Sequence, residues 1–165
     1  MKRFFCCLFA IVAIFTFTSE GREKPNILFV LFDDMGYGEP TSYRPTSLFK
    51  TPNIDRMAKE GMRFTDAHSS AASCTPTRYG FLTGRYPHRI GQFGVLSTFS
   101  PPLIPDTRLT IASYLKRNGY TTACIGKWHL GMNWDRPKTK GKNKTKEKLK
   151  IGEKMTGGPN AVGFE

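Results

Sequence analysis

The chain has 165 residues, a formal charge of +12 and four cysteines. That length fits one domain with a tail, and a content of 39% hydrophobic and 13% aromatic residues excludes wholesale disorder. Four cysteines are too few for a disulfide-framed miniprotein, and no apolar run reaches the roughly 18–20 residues of a membrane-spanning helix.

Lys2 and Arg3 open the chain, an apolar or near-apolar run fills positions 4–17, and Thr18 and Ser19 follow. This is the layout of a secretory signal peptide over residues 1–18, with an uncleaved anchor or a buried helix as the alternative. Cys6 and Cys7 lie too early in the run for lipid attachment. Export means an oxidising compartment, periplasmic or extracellular, or lysosomal or secreted in a eukaryote. Only Cys74 and Cys124 then remain, and one disulfide between them stays open.

Residues 26–32 (NILFVLF) form a continuous apolar run, the pattern of a central parallel strand buried on both faces. It stops at Asp33-Asp34-Met35-Gly36. Thr51-Pro52 opens a helix with Ile54, Met57 and Ala58 on one face, closed by Gly61. Residues 62–67 read as a short second strand. Cys74–Gly84 reads as a loop entering a short helix. Thr110 caps another helix, with Ile111, Tyr114 and Leu115 on one side and Asn118-Gly119 closing it. Residues 120–125 (YTTACI) read as a third strand, with Cys124 a buried small hydrophobe, and Gly126-Lys127-Trp128-His129 follows. This order predicts an α/β fold with a mostly parallel sheet flanked by helices. Ligands of such sheets bind beyond the carboxyl ends of the strands, where Asp33-Asp34 and Lys127-His129 both fall.

The charge is concentrated rather than spread. Nine basic and two acidic residues lie between 136 and 154. With almost no apolar residues, this run cannot offset its ordering entropy and reads as a solvated lysine-rich loop. Attraction to an acidic or sulfated polysaccharide is the alternative use. There is no aromatic interleaving for base stacking, so nucleic acid is not expected. Asn143-Lys144-Thr145 is a glycosylation sequon in a eukaryotic source.

Two clusters point to chemistry. Adjacent carboxylates at a strand end repel each other, and a hard divalent cation such as Ca²⁺ or Mg²⁺ relieves that cost; a solvated turn is the plainer use of Asp33-Asp34. Cys74 enters a helix with Arg78 four residues on, a positive setting that activates a thiol; a structural or disulfide cysteine is the alternative. Arg85, His88 and Arg89 are near enough to help hold an anion, but exposed basic residues seldom do anything specific. Trp128 and Trp134 read as packing residues.

The run C-T-P-T-R-Y-G-F-L-T-G-R at 74–85 resembles the sulfatase signature, Cys-x-Pro-x-Arg followed by Leu-Thr-Gly-Arg. The run G-Y-T-T-A-C-I-G-K-W-H-L-G at 119–131 resembles the second sulfatase signature. Residues 25–38 and 51–65 are similar to the family's N-terminal strand, metal carboxylates and first helix. Four ordered segments thus span about residues 24–134, the N-terminal part of a catalytic domain. The resemblance implies the alkaline-phosphatase-like sulfatase fold and hydrolysis of an aryl or carbohydrate sulfate ester. It implies that a formylglycine-generating enzyme oxidises Cys74 to an aldehyde, whose hydrate attacks sulfur and then releases sulfate by re-forming the aldehyde. It casts Asp33, Asp34 and the modified Cys74 as ligands of Ca²⁺, or Mg²⁺, and Arg78 as the cation beside the nucleophile. Lys127 then bridges nucleophile and sulfate, and His129 takes a proton from the second hydroxyl. Lys127 and His129, two apart, would share one face of an extended segment. A phosphonate or phosphodiester hydrolase of the same superfamily, and an inactive remnant or polyanion-binding module, are the competing functions.

The family also uses a later Asp, a later Asn or Gln, and a later His and Lys, none of which can be assigned here. Gly158-Pro159 and Gly163-Phe164-Glu165 resemble the start of the next core segment, which makes 135–157 an inserted loop. The chain therefore reads as an N-terminal fragment or a truncated gene product. We expect the purified 165-residue chain to hydrolyse an aryl sulfate in calcium barely above background. Turnover comparable to that of a full-length homologue would contradict this.

Overall fold

The computed structural model describes residues 23–134 and 155–165. The signal peptide read over 1–18, and residues 135–154 of the lysine-rich loop, lie outside the described residues. The chain divides after Asp34 into two units.

In the first unit, the central buried strand expected over 26–32 does not form. Its apolar side chains are exposed, Leu28 at 89%. An apolar run becomes a strand only when neighbouring strands take up its ladder hydrogen bonds. Among the described residues the one β pairing is an isolated antiparallel bridge, Asn133 with Thr156. The strands expected at 62–67 and 120–125 are absent for the same reason. Along 120–125 only Thr122 is buried, so Cys124 is exposed rather than packed inside.

The helices of the second unit follow the cap residues. α1 spans Pro52–Glu60, α2 Cys74–Thr83 and α3 Ile111–Arg117, with 3-10 turns at Pro87–Ile90 and Pro159–Val162. Pro52 opens α1, where its missing N–H costs nothing. The Thr51 hydroxyl does not cap the helix backbone. It donates to Asp55 Oδ1 at 3.2 Å and accepts the Thr41 N–H at 3.0 Å. The bond from the Thr41 hydroxyl holds the Asp55 carboxyl below its ordinary value, against a smaller opposing effect of desolvation. On the apolar face of α1, Ile54 and Ala58 are half-buried and Met57 is 70% exposed. α3 has a complete capping box: Thr110 Oγ1 accepts the Ser113 N–H at 3.1 Å, and Ser113 Oγ accepts the Thr110 N–H at 2.9 Å. Asn118 and Gly119, at φ 81°, end it as the sequence predicts.

The core gathers around α2. Thr75, Pro76, Tyr79 and Leu82 are its buried residues, and the i, i+4, i+7 spacing of Thr75, Tyr79 and Leu82 marks one stripe. Tyr79 and Leu82 cluster with Ile104, Leu130 and Val162, and Phe81, Leu103, Trp128 and Phe164 pack around them. Two polar anchors bring in the C-terminal segment. The Thr110 hydroxyl donates to Val162 O at 2.5 Å, and the Thr122 hydroxyl to Gly163 O at 2.6 Å. Residues 100–103 line up along 130–132 through Leu103 N to Leu130 O, 2.9 Å, and Met132 N to Ser100 O, 3.1 Å.

Gly131 makes that alignment possible. Its φ is 77°, and a Cβ there would stand 2.0 Å from the Pro101 carbonyl oxygen. Gly94 has open space and an ordinary φ. Gly131→Ala should therefore lose about 1–3 kcal/mol of unfolding free energy in urea, while Gly94→Ala loses little. Equal midpoints for the two variants would refute this account of the turn.

Candidate active site

The first residue of α2 is Cys74, half-buried. The helix entry is held by backbone and side chain together. Thr77 N–H bonds to Ser73 O at 3.1 Å, and the Thr77 hydroxyl donates to Ala71 O at 2.6 Å. Arg78 lies one turn further on, so its side chain and that of Cys74 share a helix face. Its Nη1 donates to Lys127 O at 2.5 Å. The arginine thereby ties α2 to the segment carrying Lys127 and His129.

His129 reaches the thiol directly. Cys74 Sγ lies 3.1 Å from His129 Nδ1, and His129 Nε2 lies 2.9 Å from Leu96 O. A carbonyl oxygen can only accept, so Nε2 carries a hydrogen. In the neutral imidazole this leaves Nδ1 with its lone pair, and the thiol S–H donates to it. The ring therefore presents a proton acceptor to the side chain of residue 74.

The expected extended segment with Lys127 and His129 on one face is not what forms. His129 adopts φ 53°, a left-handed conformation. For an L-residue with a Cβ this costs about 1–2 kcal/mol. Gly126, at φ 102°, and Gly131 bracket the turn. Trp128 between the two residues packs against the core and donates from Nε1 to Gly131 O at 2.9 Å. With Trp128 anchored, the turn carries the half-buried His129 to Cys74, while Lys127 meets Arg78 through its carbonyl and is otherwise exposed.

Thus Cys74, Arg78, Lys127 and His129 come together in one unit. Asp33 and Asp34 end the other unit, both exposed, Asp34 at φ 63°. Adjacent carboxylates are the oxygen donors a hard cation takes. Among the described residues, no three His, Cys, Asp or Glu side chains gather at one point.

Both described cysteines are free thiols, which removes the disulfide alternative. Partial desolvation pushes the Cys124 thiol up, and the Arg78 guanidinium opposes that shift. Trp134 packs edge-on against Phe99, with centroids 5.4 Å apart, so both tryptophans serve packing as expected. His88 stacks on Tyr86 and, like Arg89, is exposed.

Two participants were not foreseen from sequence. Thr75 is fully buried; its hydroxyl donates to His129 O at 2.9 Å and accepts the Leu96 N–H at 3.2 Å. Its place inside the Cys74–Arg78 motif was the available signal. Leu96 acts through its backbone, which every residue possesses, so no residue type could reveal it.

The sulfatase family model matches residues 25–160. Over 113 residues the chain is 42% identical to N-acetylgalactosamine-6-O-sulfatase of Bacteroides thetaiotaomicron, covering 68% of this chain and 22% of that protein. Over 121 residues it is 45% identical to human steryl-sulfatase, covering 70% of this chain and 21% of that one. A solved structure described under glycosaminoglycan metabolism by B. thetaiotaomicron superposes with a TM-score of 0.70 at 36% identity, over 86% of this chain and 27% of that one. The chain spans about a fifth of the length of these curated relatives. Its matched region contains both the Cys74 helix and the His129 turn, and the chain belongs to the sulfatase family.

Proposed function

We propose that this chain carries the nucleophile end of an exported sulfuric ester hydrolase, with Cys74 converted to formylglycine by an enzyme that reads Cys74-Thr75-Pro76-Thr77-Arg78. The observation that supports this best is the 3.1 Å contact of Cys74 Sγ with His129 Nδ1, on a ring whose Nε2–H is committed to Leu96. Sγ marks the place that one hydroxyl of a hydrated aldehyde would take. That hydrate supplies a nucleophilic oxygen and a second hydroxyl whose deprotonation frees the sulfate. His129 accepts a proton at Nδ1 and becomes the imidazolium, because Nε2 already carries a hydrogen, and it gives that proton up again from Nδ1 once the sulfate has left. Arg78 places a permanent cation one helical turn from residue 74, where a planar guanidinium suits a tetrahedral oxyanion. Lys127 adds a second cation on the adjoining segment and is the proposed sulfate contact.

Asp33 and Asp34 are the proposed metal carboxylates, with Ca²⁺ the preferred ion and Mg²⁺ the alternative. Such an ion supplies Lewis-acid stabilisation of sulfate oxygens. An α/β arrangement with a mostly parallel sheet, alkaline-phosphatase-like, is the proposed architecture of the whole catalytic domain. Residues 1–18 are the proposed export signal, 24–134 the N-terminal catalytic part, 135–157 a lysine-rich loop and 158–165 the start of the next segment. Among the described residues no helix is long and apolar enough to cross a membrane. The proposed substrate class is an aryl or carbohydrate sulfate, and the relative N-acetylgalactosamine-6-O-sulfatase bears a carbohydrate in its name.

Two outcomes follow. Coexpressed with a formylglycine-generating enzyme, the peptide containing Cys74 should be about 18 Da lighter than its thiol form and react with a hydrazide. A thiol of unchanged mass would argue against the aldehyde. In the whole protein carrying this sequence, His129→Ala should lower kcat on an aryl sulfate by about 10²–10⁴-fold, with aldehyde content unchanged. A variant as fast as the parent would remove His129 from the mechanism.

A further inference from the structure

The Thr75 hydroxyl joins three segments that meet beside Cys74. It donates to the His129 carbonyl at 2.9 Å and accepts the Leu96 N–H at 3.2 Å. The other polar group of residue 96, its carbonyl, accepts the His129 Nε2–H at 2.9 Å. One buried oxygen therefore grips the histidine by its backbone and also grips the residue that orients the histidine's ring. Its single hydrogen and one lone pair are both used. Thr75 has 0% exposure, so water cannot replace either bond without a rearrangement. The bonds also bear on a turn that is unfavourable by itself, since His129 holds φ 53°.

We propose that Thr75 is a positioning residue for His129: its hydroxyl, through Leu96 and the His129 carbonyl, selects the Nε2–H tautomer and keeps the Nδ1 lone pair on the side chain of residue 74. The use of that lone pair in catalysis rests on the reading above; the clamp rests on geometry alone. A threonine needed only for packing would be replaced well by valine, which has the same shape without the hydroxyl. A positioning threonine is replaced by serine, which keeps the oxygen and loses the methyl.

Thr75 also lies within the stretch that the modifying enzyme is proposed to read. Activity would therefore confuse loss of the aldehyde with loss of the clamp. The thiol form of the chain avoids that ambiguity. Imidazole ¹⁵N spectra report the tautomer of each of the three histidines, and His129→Gln identifies the signal of His129.

In the parent chain, His129 should show one protonated nitrogen, Nε2, and one bare nitrogen, Nδ1. Thr75→Ser should keep that separation. Thr75→Val should lose it, the two nitrogens moving towards a common average. Thr75→Ala should lose it as well, and differs from Thr75→Ser by one oxygen, without the added methyl of valine. An Nδ1–H tautomer in the parent would overturn the proposal. So would a valine or alanine variant with the parent's separation, or a serine variant without it. Because these spectra need no aldehyde, an unmodified Cys74 in the mass measurement would count against the enzymatic reading while leaving the clamp standing.

Discussion

A neutral histidine can face a thiol with a lone pair only if its other nitrogen is kept protonated, and here the Leu96 carbonyl does that. The surrounding features serve this bond. The left-handed backbone at His129 turns the ring toward Cys74, and Gly126 and Gly131 allow the chain to enter and leave that turn. A side chain at Gly131 would run into Pro101. Trp128, packed on the core, keeps the turn from swinging away. The strain at one residue is thus offset by hydrogen bonds and packing at its neighbours, as a strained backbone position requires.

Helix α2 links that turn to the interior. Its buried stripe supplies Thr75, Tyr79 and Leu82 to the core and the clamp, while Cys74 and Arg78 occupy another face. A site built on a packed helix holds its geometry better than one on a loop. The C-terminal segment adds to the same core through Val162 and Phe164, and reaches it through the Thr110 and Thr122 hydroxyls. The surface ion pair of Lys116 with Glu165, at 2.9 Å, contributes little beside these buried bonds, because both side chains are about half exposed.

What could be read from the sequence divides along physical lines. Helix ends were legible because caps are local: Pro52, Thr110 and Asn118-Gly119 act within one turn of themselves. Cys74, Arg78, Lys127 and His129 stood out because their residue types lie in two linear motifs, and the structure brings those two motifs into contact. The strands were not, since an apolar run such as 26–32 specifies a strand only when partners are present to pair with it. The burial of Cys124 was inferred from such a strand and failed with it. Spacing placed Lys127 and His129 on one extended face, but a positive φ at a histidine is not visible in a residue pattern. Thr75 and the Leu96 carbonyl escaped notice because their roles arise from contacts 21, 33 and 54 residues apart in the chain.

Whether the proposed site handles a sulfate ester is decided by comparing kcat/KM for aryl sulfate, aryl phosphate and aryl phosphonate esters in the whole protein carrying this sequence, with the aldehyde formed and calcium present. The sulfate ester should be the preferred substrate, and Cys74→Ala should abolish its turnover. A preference for the phosphonate or phosphate ester, with sulfate turnover at background, would contradict this.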